Sequence, residues 1–254
     1  MSLHQNNNNQ SGQSVHLLNQ NISNANFNSH INDPNFFSFA THNFRSCSSS
    51  VKMNQIEQFF VNFNLDILGL SEMHLTTTQA KYYSCNLRNK PYHFLFSSTN
   101  PKYNCQGVGF LIRNYLYDHI FHHSFLYDRI AYIDLQFKNK TKLRVFQVYL
   151  PANTCKIDQF NLRTQIEKML LELILDAQNK SYHIILMGDF NIDLYQKHHS
   201  HRKNKFHRTF IEKIFNLNFI HAATLIQKDN DPPPHTFVHL SSKKLSHLDY
   251  IFMS

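Results

Sequence analysis

The feature that most constrains this chain is a set of short apolar segments that each end beside a polar side chain. Glu72 follows LDILGLS, Asp189 and Asn191 follow HIILMG, and Tyr149 lies at the end of KLRVFQVYL. A carboxylate at the end of a buried strand must be paired, hydrated in a cleft or bound to a metal. If these strands are neighbours, their polar ends converge at one mouth of the fold.

Two more polar residues fit the same pattern. Asn43 ends FFSFATHN, the first strand-like segment, and Asp249 lies in SHLDYIF near the end of the sequence. Hard divalent cations such as Mg²⁺ bind a few carboxylate or amide oxygens and leave positions open for phosphate. Asn43, Glu72, Asp189 and Asn191 supply such a set of oxygen ligands.

Apolar patterning predicts strands and helices along most of the chain. Strands are predicted at 36–43, 65–70, 92–98, 107–113, 118–125, 129–137, 142–150, 183–188, 219–225, 236–240 and 248–253. Helices are predicted at 51–63, after Pro151 and at 206–215, where apolar residues recur at helical spacing. Runs of strands without intervening helices indicate antiparallel pairing.

The order of these elements predicts an α/β fold. Each half of the sequence contains strands and a helix, which suggests two packed, mostly antiparallel sheets flanked by helices. The predicted architecture is therefore a four-layer α/β sandwich.

The first 35 residues differ in character from the rest. Residues 1–35 are rich in Asn, Gln, Ser and His without a strand or helix period, so we expect a disordered tail before a domain at 36–254. The opening residues lack the features of a signal peptide, and no apolar run is long enough to span a membrane. We therefore expect an intracellular protein whose four cysteines are reduced thiols.

The net charge of the chain indicates what kind of molecule it could bind. A net charge of +8 fits a partner that carries phosphates. The basic stretch at 197–208, KHHSHRKNKFHR, either follows a nucleic-acid backbone or is a solvated loop, and both interpretations stay open.

Five segments together resemble one known family. In chain order they are LDILGLSEMHL, GVGFLI, QVYLPAN, ILMGDFNID and SHLDYIF. The sequence resembles the endonuclease/exonuclease/phosphatase superfamily, also called DNase I-like, and looks nearest to its retroelement-type and abasic-site endonucleases. The resemblance implies a phosphodiester hydrolase that depends on Mg²⁺ or Mn²⁺ and acts on nucleic acid, most readily DNA.

The resemblance also implies a role for each candidate residue. Asn43 and Glu72 match the metal-binding asparagine and glutamate of the family, and Tyr149 matches the tyrosine that contacts the phosphate. Asp189 matches the aspartate that orients or deprotonates the attacking water. Asn191 matches the asparagine that holds a phosphate oxygen.

Asp249 matches an aspartate that orients a catalytic histidine in the family, where a segment ending in S-D-H follows. Here the sequence ends at Ser254, five residues after Asp249. We therefore expect a domain truncated at its C-terminal end, a missing last strand and reduced stability. Losing such a histidine costs on the order of 10² to 10⁴ in rate, so weak or undetectable turnover is expected. His74, His235, His239 and His247 are interpreted as surface or turn residues.

Three functions remain open from the sequence. The first is an active divalent-metal-dependent nuclease acting on DNA. The second is an inactive, retroelement-derived relic that at most binds nucleic acid. The third is a phosphatase acting on a lipid or inositol phosphate. The positive net charge mildly favours nucleic acid over small phosphates.

Overall fold

Two β-sheets form the centre of the structure, a computed structural model. It describes residues 37–45, 49–86, 89–97, 107–152, 157–195, 202–226, 235–238 and 245–254. The predicted tail at 1–35 lies outside the described residues. In the part of the chain that the structure describes, no helix is long and apolar enough to cross a lipid bilayer.

The first sheet has four strands. They are β1 (Phe39–Asn43), β2 (Ile67–Ser71), β3 (Tyr92–Phe96) and β4 (Val108–Arg113), in the order β1-β2-β4-β3. Strands β1 and β2 run parallel, because helix α1 (Ser50–Asn62) returns the chain to the edge at which β1 began. The remaining pairs are antiparallel.

The second sheet has six strands, in the order β5-β6-β7-β8-β12-β9. They are β5 (Ile120–Leu126), β6 (Ile130–Gln136), β7 (Lys142–Tyr149), β8 (His183–Asp189), β9 (Ile220–His221) and β12 (Asp249–Met253). A separate hairpin pairs β10 (Phe237–Val238) with β11 (Leu245–Ser246). The long helix α4 (Ile157–Asn179) connects β7 to β8, which run parallel.

Four other helices complete the described elements. They are α2 (Thr77–Asn86), α3 (Asn114–Tyr117), α5 (Arg202–Asn216) and α6 (Ala222–Ile226), together with a 3₁₀ turn at Lys138–Lys140 between β6 and β7. Strand β12 pairs with β8 on one side and with β9 on the other. The expectation of a further, missing strand stays a prediction.

Three apolar layers separate the sheets and helices. Leu68 of β2 packs with Phe60 of α1, whereas the adjacent Ile67 packs with Ile185 of β8, so successive β2 residues face opposite layers. On the far side of the second sheet, Leu186 packs in a third cluster. That cluster also contains Ile166, Leu170 and Ile174 of α4 and Ile211 and Ile214 of α5. The predicted four-layer α/β sandwich is confirmed.

The prediction of one strand at 219–225 was wrong. Only Ile220–His221 is a strand there, and Ala222–Ile226 is a helix. The Thr224 hydroxyl donates to the His221 carbonyl oxygen at 2.7 Å, which closes the first helical turn. Apolar residues in a short segment fit either structure, so periodicity alone did not distinguish them.

Helix α2 was missed because it has no apolar stripe. Its start is instead fixed by a reciprocal cap: the Gln79 amide N–H donates to Thr76 Oγ1 at 3.3 Å, and the Thr76 amide N–H donates to Gln79 Oε1 at 3.0 Å. This is a capping box, with threonine and glutamine three residues apart. The T-x-x-Q spacing was therefore a usable signal.

A buried polar bridge joins the two sheets. Gln147 of β7 is fully buried, donates from Nε2 to Ser71 Oγ at 2.8 Å and accepts at Oε1 from the Thr41 hydroxyl at 3.1 Å. Gly69 gives this side chain its space, because a Cβ at residue 69 would lie 1.9 Å from Gln147 Oε1. Since both ends of the amide are bonded, Gln147 cannot move aside without losing partners.

We expect Gly69→Ala to lower the free energy of unfolding by about 1 to 3 kcal/mol, as overpacking does in other cores. In a Gln147→Ala background, the same substitution should cost less, because the atoms it would strike are gone. Urea denaturation of the two single variants and the double variant measures this coupling. Strictly additive losses would show that Gln147 does not impose glycine at residue 69.

A second polar cluster lies beside β12. His221 is 3% exposed, and its ring packs near the rings of Tyr250, Phe252 and His247. Its Nδ1 is 3.3 Å from the Tyr195 hydroxyl. Burial, and secondarily the proximity of His247, lower the pKa of His221 from 6.5 to about 4.

The contribution of His221 to the stability of the chain should therefore fall as the pH is lowered from about 6.5 to about 4. A histidine with a depressed folded-state pKa leaves the unfolded chain binding more protons in that window, so protonation favours unfolding, by at most about 3 kcal/mol for this residue. His221→Phe should remove this loss of stability at low pH, whereas His123→Phe at an exposed position should leave it in place. Urea midpoints across this range test the prediction, and an unchanged slope in His221→Phe would contradict it.

Candidate active site

The topology brings the six predicted residues to one end of the two sheets. In the first sheet, Asn43 is paired with Ser71 in the parallel β1–β2 ladder, and Glu72 follows directly. In the second sheet, Asp189 is paired with Tyr149 on one side and with Asp249 on the other. The carboxyl ends of β1, β2, β7 and β8 therefore meet the amino end of β12.

Asn43 links the two sheets at this end. Its Nδ2 donates to Glu72 Oε1 at 2.9 Å and to Asp189 Oδ2 at 2.8 Å. Its Oδ1 accepts from the backbone N–H of Arg45 at 3.1 Å, which fixes the orientation of the amide. One side chain of the first sheet is thus hydrogen-bonded to the central carboxylate of the second.

Asp189 is held by its own loop as well as by Asn43. Its Oδ1 accepts from the backbone N–H of Asn191 at 2.9 Å, and Asn191 Nδ2 donates to the Leu150 carbonyl oxygen at 2.8 Å. The preceding residue, Gly188, has φ +140°, and a Cβ there would lie 1.9 Å from the Val148 carbonyl oxygen. Only glycine fits that position, so the G-D order follows from backbone geometry.

The sequence reasoning missed a buried arginine that holds this loop. Arg163 of α4 is 1% exposed and donates to the carbonyl oxygens of Pro151 at 2.7 Å and Phe190 at 2.9 Å. Its Nε donates to Glu167 Oε1 at 2.8 Å, which balances the charge. The sequence contained a signal for this burial, because Arg163 lies on the same apolar stripe of α4 as Ile166.

Tyr149 and Asp249 flank the central carboxylate. The Tyr149 side chain is buried, and burial, followed by the charge of Glu72 and hydrogen bonding with it, raises the pKa of this phenol. Thr236 Oγ1 accepts from the backbone N–H groups of Leu248 at 2.9 Å and Asp249 at 3.1 Å. Asp249 Oδ1 is buried and has no hydrogen-bond partner among the described residues.

The backbone around these residues is unusual. Arg45, Glu72, His74 and Asn191 all have positive φ, between 47° and 54°, although none is glycine. The left-handed region costs roughly 1 to 2 kcal/mol for most residues that have a Cβ. Seven other non-glycine residues of the described chain, such as Asn64 and Ser181, also have positive φ, so this conformation is not confined to the site.

The site is acidic and poorly solvated. Burial, and then the charge of Asp249, raise the pKa of Asp189, while hydrogen bonds from Asn43 and Asn191 oppose that rise. Burial also raises the pKa of the Asp249 carboxyl. Three carboxylates, with Glu72, share this mouth, so a positive charge placed among them would be stabilised.

The donor set fits a hard divalent cation with few protein ligands. Among the described residues, no group of three or more His, Cys, Asp or Glu side chains is arranged to chelate a metal. Mg²⁺ needs only one or two carboxylates, because it keeps several waters and binds substrate phosphate. Glu72, the amide oxygen of Asn43 and the unpartnered Oδ1 of Asp249 are the oxygen atoms available here.

The other predicted candidates lie in different surroundings. His74 is half-buried near Glu72, its Nε2 has no hydrogen-bond partner in the described part of the chain, and burial lowers its pKa. His235 is exposed, whereas His247 is buried instead of lying on the surface. His239 and residues 197–201 of the basic stretch lie outside the described residues, and Arg208 is exposed on α5.

Comparison with known proteins identifies what this architecture is similar to. The model of the Endonuclease/Exonuclease/phosphatase family matches residues 23–254. No curated protein sequence resembles the chain closely enough to match.

Solved structures with the same fold include enzymes that act on DNA. The 3′ phosphatase NExo from Neisseria, in complex with a product DNA hairpin, is 19% identical with a TM-score of 0.66, covering 86% of this chain and 87% of that one. An AP endonuclease from Archaeoglobus fulgidus is 18% identical, with a TM-score of 0.66 and 86% of both chains covered. The AP endonuclease LMAP from Leishmania major is 15% identical, with a TM-score of 0.67 and coverages of 96% and 90%.

We expect Mg²⁺ or Mn²⁺ to raise the melting temperature of the chain by about 3 to 6 °C at ten times its dissociation constant. Glu72→Gln keeps the shape of the side chain but removes its charge, so the shift should shrink or disappear. Glu172→Gln on the exposed face of α4 is the matched control and should keep the full shift. Thermal unfolding with and without the cation measures both, and an undiminished shift in Glu72→Gln would exclude this residue as a ligand.

Proposed function

The chain belongs to the endonuclease/exonuclease/phosphatase family, and from this premise we propose that it hydrolyses phosphodiester bonds of DNA with the help of Mg²⁺ or Mn²⁺. The observation that carries the proposal is the Asn43 amide, hydrogen-bonded to Glu72 and to Asp189 at the meeting point of two sheets. Tyr149, Asn191 and Asp249 surround that pair. Together they supply a carboxylate base, hydrogen-bond donors and oxygen ligands within one mouth.

Asp189 is the proposed base. Its raised pKa makes this carboxylate a better proton acceptor than a solvated aspartate, and its hydrogen bonds to Asn43 and Asn191 fix its direction. In this role it orients a water molecule for in-line attack on phosphorus and takes the proton that the water loses. Phe190 is fully buried directly after it, which anchors the loop.

The remaining residues stabilise negative charge on the phosphate. The second N–H of the Asn191 amide, and the Tyr149 hydroxyl when it exchanges Glu72 for phosphate, are the donors for the non-bridging oxygens, where charge grows in the transition state. Asn43 and Glu72 hold the divalent cation, which when bound supplies Lewis-acid stabilisation of that charge. Asp249, buried beside Asp189, is proposed to orient a further polar group at the phosphate.

DNA is the proposed substrate because of the charge of the chain and its structural similarity to NExo. The net charge of +8 favours a polyanion over a small phosphate. The exposed Arg45 lies just after Asn43, where β1 has ended, and Lys52 Nζ donates to the carbonyl oxygens of Phe44 at 3.3 Å and Arg45 at 3.2 Å. The similar NExo structure holds a DNA hairpin, which makes a nucleic-acid substrate the first to test.

We expect purified chain to nick supercoiled plasmid slowly in Mg²⁺, in line with the weak turnover expected from the sequence, and to lose that activity when EDTA is added. Asp189→Asn should lower the nicking rate by about 10² to 10⁴, because it removes the base while keeping the hydrogen-bonding shape. Glu172→Gln, exposed on α4, is the control for preparation and contaminating nucleases.

Nicking that requires the cation and disappears in Asp189→Asn supports the proposal. Equal nicking by the wild type and by Asp189→Asn would assign the activity to a contaminant. If folded wild-type chain, verified by a cooperative melt, leaves plasmid intact in both cations, DNA hydrolysis is excluded.

A further inference from the structure

Arg129, directly before β6, places a buried guanidinium beside the candidate site. Its side chain is 6% exposed, and its guanidinium carbon lies 4.4 Å from the centroid of the Tyr149 ring. Its Nε and Nη1 atoms are buried without a hydrogen-bond partner in the described part of the chain. Burying unpaired donors of a charged group is costly, so this arrangement needs a compensating reason.

The two other arginines that are buried in the described part of the chain are placed differently. Arg144 donates to both carboxylate oxygens of Asp134 at 2.6 and 2.7 Å, and Arg163 donates to Glu167 and to several backbone carbonyls. Within the described ranges, Arg129 takes part in no ion pair. Its guanidinium instead lies over the face of the Tyr149 ring, a geometry that favours a cation.

The backbone fixes the same pair of residues. The Tyr149 N–H donates to the Arg129 carbonyl oxygen at 2.8 Å, and the Arg129 N–H donates to the Leu126 carbonyl oxygen at 3.0 Å. The two residues before Arg129, Tyr127 and Asp128, both have positive φ and form the tight turn from β5. The ring and the guanidinium are therefore held together by main-chain and side-chain contacts.

We propose that Arg129 is a positioning residue for Tyr149. The stacked guanidinium keeps the phenol ring in the orientation that directs its hydroxyl to Glu72, and its positive charge favours an anionic phosphate in front of that hydroxyl. The kinetic part of this inference rests on the proposed phosphodiesterase activity. The placement of the Tyr149 ring does not depend on that activity.

The first test is a double-mutant cycle on nicking kinetics. Arg129→Met keeps an apolar stem and removes the charge, and we expect kcat to fall by about 10- to 100-fold with KM changed less than about threefold. Arg129→Lys should recover part of that loss, because it restores a cation over the ring. In a Tyr149→Phe background, Arg129→Met should cause less than about a threefold further loss.

The second test needs no turnover. The 12 tyrosines of the chain can be replaced by 3-fluorotyrosine, and the ¹⁹F signal absent from Tyr149→Phe identifies residue 149. Arg129→Met should shift or broaden that signal while most others stay in place. Arg113→Met is the matched control, because Arg113 also stacks on an aromatic ring, that of Phe60, but at the end of β4 that lies away from the candidate site.

Any one of three results would overturn the proposal. The first is a Tyr149 ¹⁹F signal that stays unchanged in Arg129→Met and Arg129→Lys, and the second is a loss of kcat in the double variant equal to the product of the two single losses. The third is a change of the Tyr149 signal in Arg113→Met as large as that in Arg129→Met. A shifted Tyr149 signal with non-multiplying losses supports it. If the wild type does not nick DNA, the proposed function fails, and the ¹⁹F signal alone decides the placement of the ring by Arg129.

Discussion

The hydrogen bonds of Asn43 to Glu72 and Asp189 are the contacts on which the candidate site depends, because they connect a strand of each sheet. One layer below, Gln147 bridges Thr41 and Ser71 inside the core, so the same two sheets are joined twice. Two packed sheets held only by apolar side chains can shift by small amounts at little cost. Directional polar contacts remove that freedom, and they set the distance between the carboxylates.

The acidic mouth is costly for the protein alone. Desolvation opposes the ionised forms of Asp189 and Asp249, and four residues nearby adopt left-handed backbone. The desolvation of these carboxylates and the left-handed backbone both oppose folding in the absence of a cation. Burial of the large apolar clusters on either side of the second sheet offsets these costs. Local instability at a site of this kind is compatible with a stable domain because the rest of the sandwich is densely packed.

Much of this architecture follows from sequence alone. The strands that end in Asn43, Glu72, Tyr149 and Asp189 were predictable because each is a short apolar run with a polar terminus, and the structure brings these ends together. Their roles stay predictions. The Asn43–Asp189 bond was not predictable, since it depends on how closely two sheets pack. Arg129 was also not singled out, because a single arginine at the start of a strand resembles any surface cation.

The two residues that Asn43 joins are far apart along the chain, with 146 positions separating it from Asp189. Closing so long a loop costs conformational entropy and is slow, so contacts within each sheet should form before the two halves dock. During synthesis the N-terminal sheet emerges complete while the second sheet is still being made. Any reactivity at this mouth therefore requires the two sheets to dock, and we expect a nascent chain to lack a competent site until that step.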